Sequence, residues 1–251
     1  MIKRKVFVLI MAILGLGFLT FTVGFVSSEK HKTRCTSLEI DIVDSLNGTF
    51  IRKSDILALI NRKIPGVVGV PLNRINLNKI EEAVKSHPTV RDAVVFTTLY
   101  DRQKVYGGKV VIKVWQQIPL LRVISPAEDY YVSRDGKRMP VSSSYVPYVI
   151  VASGAITHKM AQTDLFKLAD FINKDKLWKA QIEQIYVNSS GEIYLAPRVG
   201  DHIIELGGTD SLDVKFRNLK ALYNQTFNAK GWNLYDTISV KYTNQVVCSK
   251  K

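Results

Sequence analysis

Cysteine and histidine are scarce in this 251-residue chain, which holds two of the first and four of the second. Two cysteines, Cys35 and Cys248, exclude a disulfide-dense scaffold, a cysteine-rich zinc module and an iron–sulfur protein. Four scattered histidines (His31, His87, His158 and His202) leave little for a histidine-based metal centre. The motifs G-x-x-x-x-G-K-[ST], G-x-S-x-G, H-E-x-x-H and C-x-x-C are all missing. Gly207-Gly208 reads as a turn and not as a phosphate loop. Acidic pairs are no better placed for chemistry. Glu128 and Asp129 are adjacent and point apart on an extended chain, Glu81 and Glu82 sit on a helix face, and Asp41 and Asp44 have no further oxygen ligands nearby in sequence. The expectation is a non-enzymatic protein with no metal and no cofactor.

What is present is ordinary for a folded chain: 46% hydrophobic, 10% aromatic and 23% charged residues, which excludes a wholly disordered or low-complexity protein. The distribution is uneven. Residues 6–26, VFVLIMAILGLGFLTFTVGFV, carry no charge. A helix of that length spans about 32 Å, close to the ~30 Å hydrocarbon thickness. A cleaved signal peptide is the rival reading, but its apolar core is normally ~7–15 residues and ends in a small-residue site; here the exit is FVSSEKHK. The expectation is an uncleaved transmembrane helix at 6–26, a cytoplasmic tail at 1–5, a juxtamembrane linker at 27–37 and the remainder outside the cytoplasm. Lys/Arg residues flank both ends almost equally, so the orientation rests on the short tail. Without Lys3, Arg4 and Lys5, 35 basic residues become 32 against 22 acidic ones, a net charge of +10. These charges are dispersed and not interleaved with aromatics, which argues against nucleic acid as a partner.

Past the anchor, 38-LEIDIV-43 alternates as a half-buried strand. Ser54 is expected to cap a first helix carrying Ile56, Leu57 and Ile60, and Asn76 a second carrying Leu77, Ile80, Ala83 and Val84. Strands follow at Val90–Leu99 and Lys109–Gln116, with a turn-rich connection at Tyr100–Gly108. This β-α-α-β-β order makes a small α+β layer at 38–118. From 119 to 251 the pattern predicts a β-rich domain with two helices. An Asp135-Gly136 hairpin stands near its start, helices run from Thr163 to about Lys174 and from Asp210 or Ser211, and a closing strand covers Ile238–Val247.

Four segments carry a resemblance: 76-NLNKIEEAVKSHPTVRDAVV-95, 110-VVIKVWQQIPLLRV-123, 130-YYVSRDGKRMP-140 and 238-ISVKYTNQVV-247. Their order and spacing resemble the FtsQ (DivIB) family of bacterial cell-division proteins, whose first extracytoplasmic domain is called POTRA and whose second is the β domain. Thr89 departs from the family pattern, which often has Trp there. The resemblance implies a membrane-anchored scaffold of the cytoplasmic (inner) membrane at the division septum, helping to assemble and control septal wall synthesis. It implies small single-pass partners like FtsB and FtsL, and further division proteins meeting the POTRA-like domain.

A chain-terminal strand often lies at a sheet edge, where unpaired backbone groups template a partner strand. The resemblance implies that the small partners are held at this edge, with Lys241 and Tyr242 matching the family's basic–aromatic pair and Asn244 two residues on. Val240, Lys241, Tyr242, Thr243 and Asn244 are the expected partner-binding residues, with Tyr242 as an amphipathic anchor and Lys241 suited to an acidic segment. A purely structural closing strand is the other reading. Outside division altogether, a membrane-anchored extracytoplasmic sensor or substrate adaptor stays open. Cys35 and Cys248 are either a disulfide or two free thiols. Three Asp-[Ser/Thr]-aliphatic triplets, beginning at Asp44, Asp210 and Asp236, resemble acceptors for bacterial O-glycans.

Overall fold

The computed structural model describes residues 11, 13–22, 33–44, 48–102, 105–142, 145–227, 231–232 and 234–250. Residues 11 and 13–22 are helical, with Leu14, Leu16 and Phe18 exposed. The rest of the apolar run at 6–26 lies outside the described residues. Among the described residues no helix is long and apolar enough to cross a membrane. The chain divides into two compact units, Met1–Asn47 with Ile51–Gln116, and Gly48–Phe50 with Gln117–Lys251.

The first unit runs β1 (Cys35–Ile42), α1 (Lys53–Lys63), α2 (Leu77–Lys85), β2 (Val90–Arg102) and β3 (Val105–Gln116). The sheet order is β1-β3-β2, with β1 parallel and β2 antiparallel to β3. Ile56, Ile60, Ile80 and Val84 of the helices bury against Ala93, Val95, Val110, Ile112 and Val114 of the strands. The expected Asn76 cap is in place, its side chain accepting from the Lys79 N–H at 3.0 Å. Ser54 is not the cap of α1. Arg52 holds that position, and the Asp55 carboxylate accepts both its backbone N–H and its guanidinium. A carboxylate at the third helical position reaches back to the N–H of the cap residue, the half of a capping box that needs no hydroxyl.

The turn expected over Tyr100–Gly108 is much shorter than that, because β2 continues to Arg102 and β3 starts at Val105. Gly107 and Gly108 lie inside β3, where they serve close approach. A Cβ on Gly108 would sit 2.4 Å from Leu72, and one on Gly107 2.7 Å from the Tyr100 ring. Thr89, the departure from the resembled pattern noted above, is buried, and its hydroxyl lies 2.9 Å from His87 Nδ1.

The second unit is one nine-stranded sheet under helices. Its strands are β4 (Pro119–Ile124), β5 (Asp129–Ser133), β6 (Arg138–Pro140), β7 (Ile150–Gly154), β8 (Ile182–Val187), β9 (Ile193–Pro197), β10 (Ile203–Gly207), β11 (Tyr235–Ser239) and β12 (Val247–Lys250). They stand in the order β12-β11-β10-β9-β8-β7-β4-β5-β6. The pairs β4–β7, β7–β8 and β10–β11 are parallel. Parallel neighbours need a crossover. Helices α3 (His158–Gln162), α4 (Asp164–Lys174) and α5 (Lys176–Gln181) carry the chain from β7 to β8, and α6 (Leu212–Leu222) carries it from β10 toward β11. Two helices were expected; among the described residues there are four, and a π turn at Tyr223–Phe227 follows α6. The expected helix 163–174 is flanked by two short ones. The Thr157 hydroxyl opens α3 by accepting from Met160, and Asp175 opens α5 by accepting from the Leu177 and Trp178 N–H groups. Arg122 of β4 grips Asp129 of β5 through two hydrogen bonds, at 2.9 and 2.6 Å.

The core joins Leu165, Leu168 and Ile172 of α4, Phe216 and Leu219 of α6, and Ile185, Leu195, Ile204 and Ile238 of the sheet. At its margin, buried His202 sets Nε2 2.9 Å from the Tyr223 hydroxyl, and the Tyr223 ring meets Trp232 edge-on at 5.2 Å. Burial holds the His202 imidazole below its ordinary 6.5, with Asp201 pulling the other way. The native state thus favours the neutral ring, while the unfolded chain takes up a proton below about pH 6.5. Stability from this site is complete above about pH 6.5 and falls as pH drops through the lowered native value. The expected outcome is a thermal midpoint that falls between about pH 7.5 and 5.5, above the range where carboxylates titrate. His202→Gln should lower the midpoint at the higher pH and flatten the second unit's pH dependence; an unchanged slope would contradict this account.

Candidate docking edge

The last strands of the second unit build the candidate site. β10 and β11 run parallel, with Ile203, Ile204 and Glu205 level with Thr237, Ile238 and Ser239. β12 then pairs antiparallel with β11, setting Ser239 against Val247, Ile238 against Cys248 and Thr237 against Ser249. The expected unbroken strand Ile238–Val247 is therefore two strands. β11 ends at Ser239, residues 240–246 make a turn, and β12 forms the outermost strand of the sheet.

The five expected site residues fall on that turn. Val240 is buried in the core and donates its N–H to the Glu205 carbonyl at 2.9 Å. Lys241 Nζ is bound to the Glu192 carboxylate, which holds the Glu192 carboxyl below its usual range and raises the lysine. The Lys241 stem lies on Gly207, where a Cβ would meet Lys241 Cγ at 2.8 Å. Tyr242 is 56% exposed. Thr243 and Asn244 are exposed, and the Thr243 carbonyl accepts from Asn218 Nδ2 of α6 at 2.9 Å. The structure thus brings Tyr242, Thr243 and Asn244 to the surface together, while Val240 faces inward and Lys241 is already paired.

Glu192 and Asn218 escape a reading by sequence neighbourhood, since they lie 49 and 25 residues from their partners. The polar run Thr243-Asn244-Gln245 is the local signal for the turn. Cys248 is partly buried, which pushes its thiol up, and Cys35 is buried; each is a free thiol within its own unit. Of the glycan-like triplets, Ser45 lies outside the described residues, Thr237 sits within β11, and Ser211 is exposed at the start of α6. Asp44, considered above as a cation ligand, instead accepts the Gln116 N–H at 3.1 Å.

With this geometry in view, two family models cover the chain. A POTRA-like domain matches residues 33–114, which apart from Gly48–Phe50 belong to the first unit, and the model described as FtsQ/DivIB, C-terminal related matches residues 118–249, within the second. The chain belongs to the FtsQ/DivIB family. No curated protein matches it. The FtsQ/DivIB domains suggest a scaffold role in division and protein–protein contacts.

The corner that presents this edge is held by one buried cation. Lys215 of α6, its side chain 1% exposed, donates to the Leu206 and Gly208 carbonyls at 3.2 and 2.9 Å and to Asp210 at 3.0 Å. Asp210 itself is 70% exposed, and the lysine holds its carboxyl below the usual range. Lys167 reaches the same loop through the Thr209 carbonyl, and the Thr209 hydroxyl donates to Asp164 at 2.7 Å. Lys215→Met strips the buried Leu206 carbonyl and the Gly208 carbonyl of this donor and is expected to cost about 2–4 kcal/mol in urea unfolding. Asp210→Asn touches only the exposed partner and should cost less than about 1 kcal/mol. Equal costs would show that the charge pair, and not the carbonyl contacts, holds the corner.

Proposed function

We propose that this protein is a membrane-anchored, non-enzymatic scaffold of the bacterial division machinery that receives small single-pass division proteins by strand addition at β12. The observation that carries this reading is the position of Val247–Lys250 at the end of the nine-stranded sheet. An outer strand offers one row of backbone N–H and C=O groups to an incoming strand. Val247, Ser249 and Lys250 are exposed along it, and Tyr242 stands exposed on the turn that leads into it. Backbone pairing supplies affinity, and Tyr242 with Thr243 and Asn244 supplies side-chain selectivity at the near end. Lys241 acts here through Glu192: it fixes the turn from behind and does not reach for an acidic partner.

The family supports partners like FtsB and FtsL, an inner-membrane location at the septum, and a further contact surface on the POTRA-like domain. The apolar run at 6–26 supports the anchor, with the two units outside the cytoplasm. In this arrangement the protein controls septal wall synthesis by holding other proteins and carries out no chemistry of its own.

The test is crosslinked co-purification of the full-length membrane protein against a chain ending at Gln245. That end point removes β12 while leaving the buried Ile238 and Val240 in the core. Small single-pass division proteins should be recovered with the full chain, and their recovery should fall at least about tenfold with the shortened one. Unchanged recovery with a shortened protein that melts normally would place the partner elsewhere. Recovery of no division protein with either chain would favour an extracytoplasmic sensor or adaptor.

A further inference from the structure

The first unit has an open edge of its own. β2 is 13 residues long and stands at the end of the order β1-β3-β2. Proteins usually blunt such an edge with lysine, proline, a bulge, an inward charge or a short strand. β2 has one irregularity, between Val90 and Asp92, and from Ala93 to Arg102 its register with β3 advances one residue at a time. Residues 93–100, Ala-Val-Val-Phe-Thr-Thr-Leu-Tyr, contain no charge, no proline and no glycine. Val94 is 42% and Leu99 52% exposed, while Ala93 and Val95 are locked in the core, so the strand cannot turn its apolar residues away from solvent. The opposite outer strand, β1, carries Glu39 and Asp41. Eight uncharged residues at about 3.4 Å each give roughly 27 Å of strand that carries no charge of its own. Two cations of the neighbouring strand, Lys109 and Lys113, lie over the Tyr100 and Phe96 rings on the side of β3.

The charges that bracket this stretch say what fits it. They read Arg91-Asp92 before it and Asp101-Arg102 after it. A twofold axis through an antiparallel pair of identical strands always passes between two copies of one residue. If that residue is Phe96, position 91 falls level with position 101 of the mate; if it is Thr97, position 92 falls level with position 102. Both registers set a base level with an acid at each end. Asp92 is already bound to Lys85 at 2.8 Å, which favours the Phe96 register and its pairing of Arg91 with position 101. The offset that would set like against like has no residue on the axis and cannot be symmetric. Helix-facing positions also meet helix-facing positions in both registers, so two copies of the α1–α2 layer stay on one side of a continuous sheet.

We infer that the free edge of β2 pairs antiparallel with β2 of a second copy of this chain, joining two three-stranded sheets into one of six strands. This interface is separate from β12 and does not depend on the partner assigned there. It makes the scaffold divalent, with two copies held through the first units and one docking edge on each second unit.

The test uses the full chain in its membrane. A photo-crosslinking p-benzoylphenylalanine is placed at Val94, with a control at Glu39 on β1. Irradiation should give an adduct of twice the chain mass from Val94 alone, with the crosslinked peptide drawn from residues 90–102. In detergent, Val94→Lys with Leu99→Lys should weaken self-association at least tenfold in sedimentation equilibrium and leave the melting midpoint unchanged. An adduct with a different protein would overturn the inference by naming another occupant. A single-chain mass at all concentrations, or a crosslink to a face outside β2, would overturn it as well. If the lysine variant fails to fold, the crosslink map from Val94 decides, because that probe sits on an exposed position.

Discussion

Lys215 reaches under the corner between β10 and α6 and donates to the carbonyls of Leu206 and Gly208. A buried ammonium is costly unless each of its protons finds an acceptor, and here three do. The corner thereby fixes where α6 starts, and α6 in turn lays Phe216 and Leu219 into the core and sends Asn218 to the turn at Thr243. β11 can lie parallel to β10 because that crossover is held in place. The outer strand β12 therefore depends on a cation more than 30 residues away that never touches it.

The layered plan was legible because it rests on short-range signals. Alternation through Val110, Ile112 and Val114, the Asn76 cap and the Asp135-Gly136 turn each act within a few residues, and each is found where its pattern predicts. Gly107 and Gly108 misled for a physical reason: glycine marks a turn or a close approach equally well, and only the position of Leu72 and Tyr100 tells the two apart. The site was legible as a region and not in detail. Val240 and Tyr242 continue the alternation of Ile238, so a longer strand reads naturally. What stops it is tertiary: Glu192 takes Lys241, and Asn218 takes the Thr243 carbonyl.

The two units handle their sheet edges differently. In the second, the final strand is four residues long, and the turn before it is tied down from two sides. In the first, β2 runs on without interruption beyond the helices that cover its beginning. Short and anchored edges present a defined docking length, whereas a long uncharged edge presents a surface that has to be occupied or risk unspecific pairing. That contrast argues that the β2 edge is a used surface in the native state.

The parallel pairing of β10 with β11 also fixes an order of events. Hairpin strands can pair as soon as both have emerged, but β11 must wait for the whole of α6 and the residues after it before it meets β10. β12 pairs only with β11. Within the second unit the outermost strand is thus completed after the core that supports it has closed. A chain clipped between Ser239 and Val247 would leave β11 as the outer strand, so capture at β12, as proposed, reads out the last pairing step of the second unit.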